Sequence, residues 1–198
     1  MGRSLPKITL TNLSLSLLCL SVAFKLTLTI WLRKYDSPGA DAYSYVGVDY
    51  PETWPIDVPK VLLASDASHR YQMDTADGAA EWASLTPGNG TVFLGEERRP
   101  YTISMMHQLR CMNIIRESIL EDRSVPETSQ PSDLARHCLN YLKQMMLCRA
   151  DTYMESFWYD NSDGPIDLWS MYECKDWGAV HEAVKKNQRD YELWDERR

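Results

Sequence analysis

The distribution of apolar and polar residues divides the chain into an apolar N-terminal stretch and a mixed remainder. From Ile8 to Leu32 there is no acidic residue, and Lys25 is the single basic residue. A helix over this stretch would be roughly 37 Å long, which is enough to cross a bilayer. Residues 8–32 are therefore predicted to form a transmembrane anchor, preceded by a cytosolic tail of residues 1–7.

A cleaved signal peptide is the alternative interpretation of the same stretch. Arg3 and Lys7 would form its basic region, Leu13–Leu20 its apolar core, and Ser21-Val22-Ala23 its cleavage site. The chain would then be secreted rather than anchored. The apolar pattern resumes after Ala23, which favours an uncleaved anchor.

Beyond the anchor, proline spacing and apolar periodicity organise the chain. Residues 33–60 are rich in proline and are predicted to form a stalk, followed by a domain at 61–198 with loops at 121–131 and 161–165. Apolar residues at helical or alternating spacing predict four helices and one strand in the domain. The predicted helices are Asp74–Leu85, Ile103–Leu120, one that begins with Ser132 as N-cap, and Ala179–Arg198; the predicted strand is Thr91–Leu94.

The two central helices carry the clearest apolar stripes. In the first, the stripe consists of Met105, Leu109, Met112 and Ile119; in the second it consists of Leu134, Cys138, Tyr141, Met145 and Cys148. Stripes of this kind are typical of helices that pack on a neighbour. The predicted fold class is mainly α, with an N-terminal transmembrane helix and a small helical domain that has two central helices and minor β structure.

Cysteine usage and a glycosylation sequon bear on the compartment. Cys19 lies in the apolar stretch, which leaves four cysteines for the domain: Cys111, Cys138, Cys148 and Cys174. An even number downstream of an export signal is typical of a disulfide framework, and four cysteines allow three pairings. Asn89-Gly90-Thr91 is a predicted glycosylation site. Both features favour a lumenal C-terminal domain on a single-pass membrane protein.

Charge and motif content exclude several classes of function. The formal net charge is −7, so the chain offers no basic surface for a nucleic-acid partner. The sequence has no glycine-rich phosphate loop, no Gly-x-Ser-x-Gly elbow and no His-Glu-x-x-His. The sequence therefore lacks the motifs of common nucleotide-binding proteins, hydrolases and metalloproteases.

Two segments of the central helices echo each other: His107-Gln108-Leu109-Arg110-Cys111 and Leu134-Ala135-Arg136-His137-Cys138. They resemble the paired His-x-x-His-Cys motifs of the UstYa-like family of fungal secondary-metabolite oxidases. Two further segments are similar to family elements, the tryptophan-containing run Ala80–Leu85 with Gly88 and Gly90, and the element Cys174-Lys175-Asp176-Trp177. The resemblance covers most of the domain.

The resemblance implies a copper-type oxidase with the motif histidines as metal ligands. Residues three apart share a helix face, so each motif could offer two imidazoles to one ion, and imidazole suits copper, iron and zinc. This chain departs from the pattern at Arg110, Leu134 and Tyr172, where relatives carry histidine. His107 and His137 remain as candidate metal ligands and catalytic residues, and Arg110 is expected to face the substrate.

The motif cysteines have two interpretations within the resemblance. As thiolates they would be soft metal ligands, but His137 and Cys138 are adjacent, so their side chains diverge by about 100° around the helix. In an oxidising lumen, a Cys111–Cys138 disulfide that joins the two helices is the favoured role. By the same logic, Cys148 is predicted to pair with Cys174.

Three functional hypotheses follow. The first is an oxidase that uses copper at His107 and His137 for oxidative cyclisation, hydroxylation or desaturation of a small-molecule or peptide intermediate. The second is a non-redox cyclase or intermediate-binding protein that needs no metal and uses the charge of Arg110. The third is a non-catalytic membrane partner of other pathway enzymes. Metal analysis separates the first hypothesis from the other two.

Overall fold

The computed structural model describes residues 10–35, 42–65, 68–122, 132–157, 165–167 and 169–198. The chain divides into two compact units, Met1–Tyr43 and Ser44–Arg198. The predicted cytosolic tail and most of the predicted loops at 121–131 and 161–165 lie outside the described residues.

The first unit contains one long helix, α1 (Leu10–Tyr35). Three of its hydroxyl side chains are satisfied within the helix: Ser16, Thr27 and Thr29 each donate to the carbonyl four residues earlier at 2.8–3.0 Å. Polar residues of this kind are therefore compatible with an apolar surrounding. The segment Asn12–Leu32 is long and apolar enough to cross a membrane, a test that a signal sequence also passes.

The second unit is mainly helical with two small antiparallel sheets, which confirms the predicted class. Strands β1 and β4 pair from Lys60 opposite Lys175 to Ser65 opposite Ser170, and β2 and β3 form a hairpin. The elements in chain order are β1 (Lys60–Ser65), α2 (Ala76–Ser84), a 3₁₀ turn (Pro87–Gly90), β2 (Thr91–Leu94), β3 (Arg99–Thr102), α3 (Ser104–Asp122), α4 (Asp133–Arg149), β4 (Ser170–Lys175) and α5 (Trp177–Asp195).

Side-chain caps fix where the later helices begin. The Ser132 hydroxyl accepts a hydrogen bond from the Ala135 N–H at 3.1 Å, which confirms the predicted N-cap of α4. The Asp176 carboxylate accepts from the N–H groups of Gly178 and Ala179 at 2.9 and 3.2 Å and so caps α5. A carboxylate in this position also complements the positive end of the helix dipole.

The core of the domain lies where β2, α3 and α5 meet. Val92, Met106 and Val184 are fully buried there. Partly buried side chains pack around them: Trp54, Leu94, Tyr101, Ile103 and Met105. Burial of side chains of this size stabilises the fold by roughly 1.5–3 kcal/mol each.

Helix α5 also binds the backbone of β2. The Asn187 amide accepts from the Phe93 N–H at 2.6 Å and donates to the Phe93 carbonyl at 2.9 Å. The rings of Phe93 and Tyr191 stack with centroids 3.6 Å apart. The Asn187 side chain of α5 therefore satisfies the backbone hydrogen-bonding groups of Phe93 at this edge of β2, as a neighbouring strand would do.

Two sequence-based expectations about the domain were incomplete. Strands β1, β3 and β4 were not predicted individually. On α3 the buried residues are Met106, Cys111 and Arg116, whereas Met112 and Ile119 of the predicted stripe are exposed. The reason is that the core touches α3 at its first turn, where Met106 meets the 3₁₀ turn and β2.

The predicted disulfide staple is not supported. All five cysteines are free, and neither Cys111–Cys138 nor Cys148–Cys174 is bonded. Cys111 and Cys138 are buried together as hydrogen-bonded thiols. Cys148 is exposed on the last turn of α4, and Cys174 lies opposite Val61 in the sheet. The pairings had been inferred from compartment and motif position, neither of which fixes the geometry that a disulfide requires.

We expect Gly90→Ala to destabilise the domain more than Gly47→Ala. Both glycines have positive φ, +69° at Gly90 and +64° at Gly47, so the backbone strain of alanine should be similar at the two positions. A Cβ at Gly90 would lie 2.5 Å from Cβ of Met106, whereas nothing lies within 4 Å of one at Gly47. The additional loss in free energy of unfolding should be about 1–3 kcal/mol. Urea unfolding of the two variants checks this, and equal losses would contradict the packing at Met106.

Candidate functional site

A cavity of about 260 Å³ lies between α3 and α4. The helices are antiparallel, since Ser104 contacts Tyr141 and Met145 whereas Cys111 contacts Cys138 further along. Both sequence motifs contribute to the wall. The lining residues are His107, Arg110, Cys111, Ile114, Leu134, His137 and Cys138.

His107 is held in place by its neighbours. His107 is the residue after Met106, whose side chain is fully buried. Consecutive residues project about 100° apart around a helix, so His107 points toward α4. Its imidazole stacks on the ring of Tyr141 with centroids 4.0 Å apart and an interplanar angle of 21°. The Tyr141 hydroxyl lies 3.3 Å from that of Ser104, to which the Gln108 amide donates at 2.8 Å. The imidazole plane is therefore defined before any ligand binds.

The two motif histidines face each other across the cavity. Their ring centroids are 6.3 Å apart and their planes differ by 24°. With a metal–nitrogen bond of about 2 Å, two imidazoles on one ion hold their centroids roughly 6 Å apart when the arrangement is linear, and about 1 Å closer when it is tetrahedral. The observed separation is close to these values, so the two imidazoles are near enough to share one ion.

Among the described residues, the two motif histidines are the only ligands that this fit gives to a metal ion. No group of three or more histidine, cysteine or acidic side chains is placed to hold an ion in the part of the chain that the structure describes. A Cu(II) or Fe(II) site would need more ligands than this pair provides. Arg110 in the same wall is always cationic and lowers the affinity for any metal ion.

The charge state of His107 is set by its surroundings. Burial lowers the pKa of His107, and the nearby His137 and the Arg110 guanidinium lower it further. Each of these effects disfavours the imidazolium form. His107 is therefore a neutral imidazole at neutral pH, with a free lone pair for a metal or a proton.

Cys111 forms an uncharged part of the wall. Burial, the hydrogen bond to Cys138 and the proximity of that group together raise the pKa of Cys111 to about 12, against the opposing effect of Arg110. Because the thiolate is the form that ligates metals and attacks electrophiles, Cys111 is inert at neutral pH.

The other predicted site residues lie away from this cavity. Cys148 and Cys174 are not among its lining residues, and Asn89 is exposed in the 3₁₀ turn, where φ is 57°. Tyr172 donates to the Glu155 carboxylate at 2.7 Å and packs on Tyr153. The structure thus brings together His107, Arg110, Cys111, His137 and Cys138 and leaves Cys148, Cys174 and Asn89 outside the lining of the cavity.

Two contributors to the site were missed from the sequence as functional residues. Tyr141 supports His107, and Ile114 lines the cavity. Both could have been found from spacing, because Tyr141 is four residues after His137 and Ile114 is four after Arg110, so each pair shares a helix face.

The two other family-like segments have structural roles. The indole N–H of Trp82 donates to the Tyr71 carbonyl at 2.9 Å, and the two rings meet edge to face. Asp176, in the segment after Cys174, caps α5. Neither segment contributes a lining residue to the cavity among the described residues.

We expect the motif cysteines to resist alkylation in the folded protein. At pH 8 the exposed Cys148 should react with iodoacetamide, while Cys111 should react at least about a hundredfold more slowly, because its raised pKa leaves little thiolate. Mass spectrometry of peptides checks the ratio. After unfolding without reductant, all four domain cysteines should be modified. Protection of any pair at that stage would restore the disulfide framework.

Comparison with known proteins identifies relatives of the chain. The family described as "Mycotoxin biosynthesis protein UstYa" matches residues 52–198. "Oxidase ustYa" of Aspergillus flavus is 29% identical over 87 residues, which cover 43% of this chain and 41% of that protein. "Hydroxylase cctR" of Talaromyces islandicus is 22% identical over 116 residues, which cover 56% of this chain and 43% of that protein.

The matched regions span about two fifths of the length of these curated relatives. No solved structure matches the chain significantly. The family match covers most of the domain and includes both motif helices, their cavity and the capping segment of α5. The chain therefore belongs to the UstYa family of mycotoxin biosynthesis proteins.

Proposed function

We propose that the domain is an oxidoreductase that acts on an intermediate of a fungal secondary-metabolite pathway. The observation that carries the proposal is the cavity between α3 and α4, in which one histidine from each motif faces the other. The names of the relatives, an oxidase and a hydroxylase, support this class of reaction. Oxidative cyclisation, hydroxylation and desaturation of a small molecule or peptide all fall within it.

In this proposal His107 and His137 hold copper. Bound copper would supply the one-electron chemistry that amino-acid side chains lack. The chain's own contributions are positional and electrostatic. Tyr141 fixes the His107 ring, the Cys111 thiol stays protonated, and Arg110 adds a fixed positive charge to the wall.

A second candidate is a non-redox cyclase or intermediate-binding protein. The observation that favours it is the pair of replacements in the cavity wall, where Arg110 and Leu134 stand in place of two histidines. A cavity of this kind can orient an intermediate by shape and stabilise developing negative charge without a metal.

Removal of either motif histidine should weaken copper binding sharply. We expect the detergent-solubilised chain to bind one Cu(I), and His107→Ala and His137→Ala each to lose at least about tenfold in affinity, because one imidazole is too few to hold the ion. His69→Ala is the matched control, since His69 is exposed and distant in sequence from both motifs. Competition with a Cu(I) chelator gives the affinities.

The complementary variant restores the family pattern. Arg110→His with Leu134→His should raise the Cu(I) affinity of the chain, since both positions line the cavity and the change removes a positive charge and adds two ligands. Suppose instead that the wild-type chain holds no stoichiometric copper and that chelators leave product formation unchanged, while Arg110→Ala abolishes it. The copper oxidase is then wrong, and the non-redox candidate takes its place.

We also propose that the chain is a single-pass membrane protein of the secretory pathway, with α1 as an uncleaved anchor and the domain in the lumen. Support comes from the length and apolar composition of Asn12–Leu32 and from the exposed sequon at Asn89. We expect intact-mass analysis of the purified protein to retain α1, and glycosidase treatment to remove mass at Asn89. A mature N-terminus near Phe24 would show that the segment is a cleaved signal.

A further inference from the structure

Arg110 differs from the ion-paired arginines of the domain. No carboxylate among the described residues pairs with it, although it lies in the wall of the cavity. Four other arginines each have an acidic partner: Arg70 with Glu81, Arg99 with Glu97, Arg116 with Glu117, and Arg136 with Asp133. The guanidinium of Arg110 is thus available to a ligand.

The surroundings of Arg110 do not neutralise its charge. No acidic side chain lines the cavity among the described residues, whereas the whole chain has a formal net charge of −7. The positive charge of Arg110 also acts on His107. It lowers the pKa of His107, as burial and the nearby His137 do to a larger extent. The cavity is therefore a positive region on an acidic protein, which attracts anions.

The rest of the wall is uncharged and partly apolar. Ile114 and Leu134 contribute aliphatic surface, and the thiols of Cys111 and Cys138 are buried beside them. At about 260 Å³ the cavity is slightly smaller than a pocket for a drug-sized ligand, typically 300–1,000 Å³. It would accommodate one end of a larger molecule, with an apolar body and one polar terminus.

We propose that this cavity recognises the carboxylate-bearing end of its substrate, with the Arg110 guanidinium binding the carboxylate and Ile114 and Leu134 contacting the apolar part beside it. The proposal rests on the proposed function in one respect, namely that this cavity is the substrate site. A guanidinium presents paired N–H donors that match the two oxygens of a carboxylate. One fixed charge balances one carboxylate, whereas a doubly charged phosphate would be left half neutralised.

The recognition would also determine which atoms meet the histidines. Arg110 is three residues after His107, so their Cβ atoms are about 5–6 Å apart on one helix face. A carboxylate bound at Arg110 would place the carbons next to it toward His107 and His137. The substrate class is therefore a monocarboxylic acid that reacts close to its acid group.

The test uses two probes of equal size and different charge, 2-naphthoate and 2-naphthamide. Isothermal titration of the solubilised full chain gives their dissociation constants. We expect the wild-type chain to bind the acid at least about tenfold more tightly than the amide, because a charge-assisted pair replaces a neutral contact. Arg110→Ala should lower the affinity for the acid by about tenfold and leave that for the amide unchanged. Arg110→Lys should retain part of the preference.

Arg136→Ala is the matched control. Arg136 also lies in a motif and is exposed, but it pairs with Asp133 and does not line the cavity. It should keep the wild-type preference for the acid. Unchanged binding of the amide by Arg110→Ala also shows that this variant is folded.

Three outcomes would overturn the inference: equal affinities of the wild-type chain for the two probes, equal losses in Arg110→Ala and Arg136→Ala, or no saturable binding of the acid. None of them bears on the copper measurement, which uses no organic ligand. Conversely, if the wild-type chain holds no copper but still prefers the acid, the proposal of a copper oxidase is wrong and the proposal of a carboxylate site stands.

Discussion

The burial of Met106 is the contact on which the arrangement of the domain depends. Its side chain is fully enclosed where the 3₁₀ turn, β2 and α5 meet, and Gly90 leaves the space that it occupies. Because Met106 lies in the first turn of α3, this contact sets both the position of α3 and its rotation about its own axis. The neighbouring His107 is thereby directed away from the core and toward α4. The core and the site are therefore linked through two consecutive residues.

The site lies on a helix pair rather than inside the main core. Helices α3 and α4 enclose the cavity between them, with Cys111 and Cys138 buried at its base and His137 exposed at its rim. Burial raises the pKa of Cys111 and lowers that of His107, so both side chains are uncharged at neutral pH, and Arg110 is the one permanent charge among the described lining residues. Such a wall favours neutral ligand atoms and anionic groups over free cations. Its chemistry thus differs from that of a site with four histidines.

The sequence predicted the local features of the domain better than its long-range ones. The helices, the N-cap at Ser132 and the strand Thr91–Leu94 follow from spacing and capping chemistry, which act within a few residues. Strand β1, Lys-Val-Leu-Leu-Ala-Ser, lacks a clear alternation, and its partner β4 begins 110 residues later at Ser170. The disulfides failed for a similar reason, because compartment and motif position do not fix distances between cysteines.

The sequence predicted the principal residues of the site but not the role of Tyr141, which supports His107. One repeat in the sequence located both motif helices, and the structure brings His107, Arg110 and His137 to one cavity. Spacing places Tyr141 on the same face of α4 as His137, but the stacking of Tyr141 on His107 depends on the register of α4 against α3, which no spacing within a single helix contains.

The pairing of β1 with β4 has a consequence for the order of folding. Lys60 lies opposite Lys175, and the Asn187 amide satisfies the backbone of Phe93, 94 residues earlier. Contacts between such distant residues are slow to form, and a growing chain cannot make them until its last segments have left the ribosome. Until then β1 and one edge of β2 present unpaired backbone groups and apolar side chains, which are templates for aggregation. The order of synthesis therefore separates the formation of the helices from the closure of this sheet, and premature termination before β4 would yield a product that cannot close it.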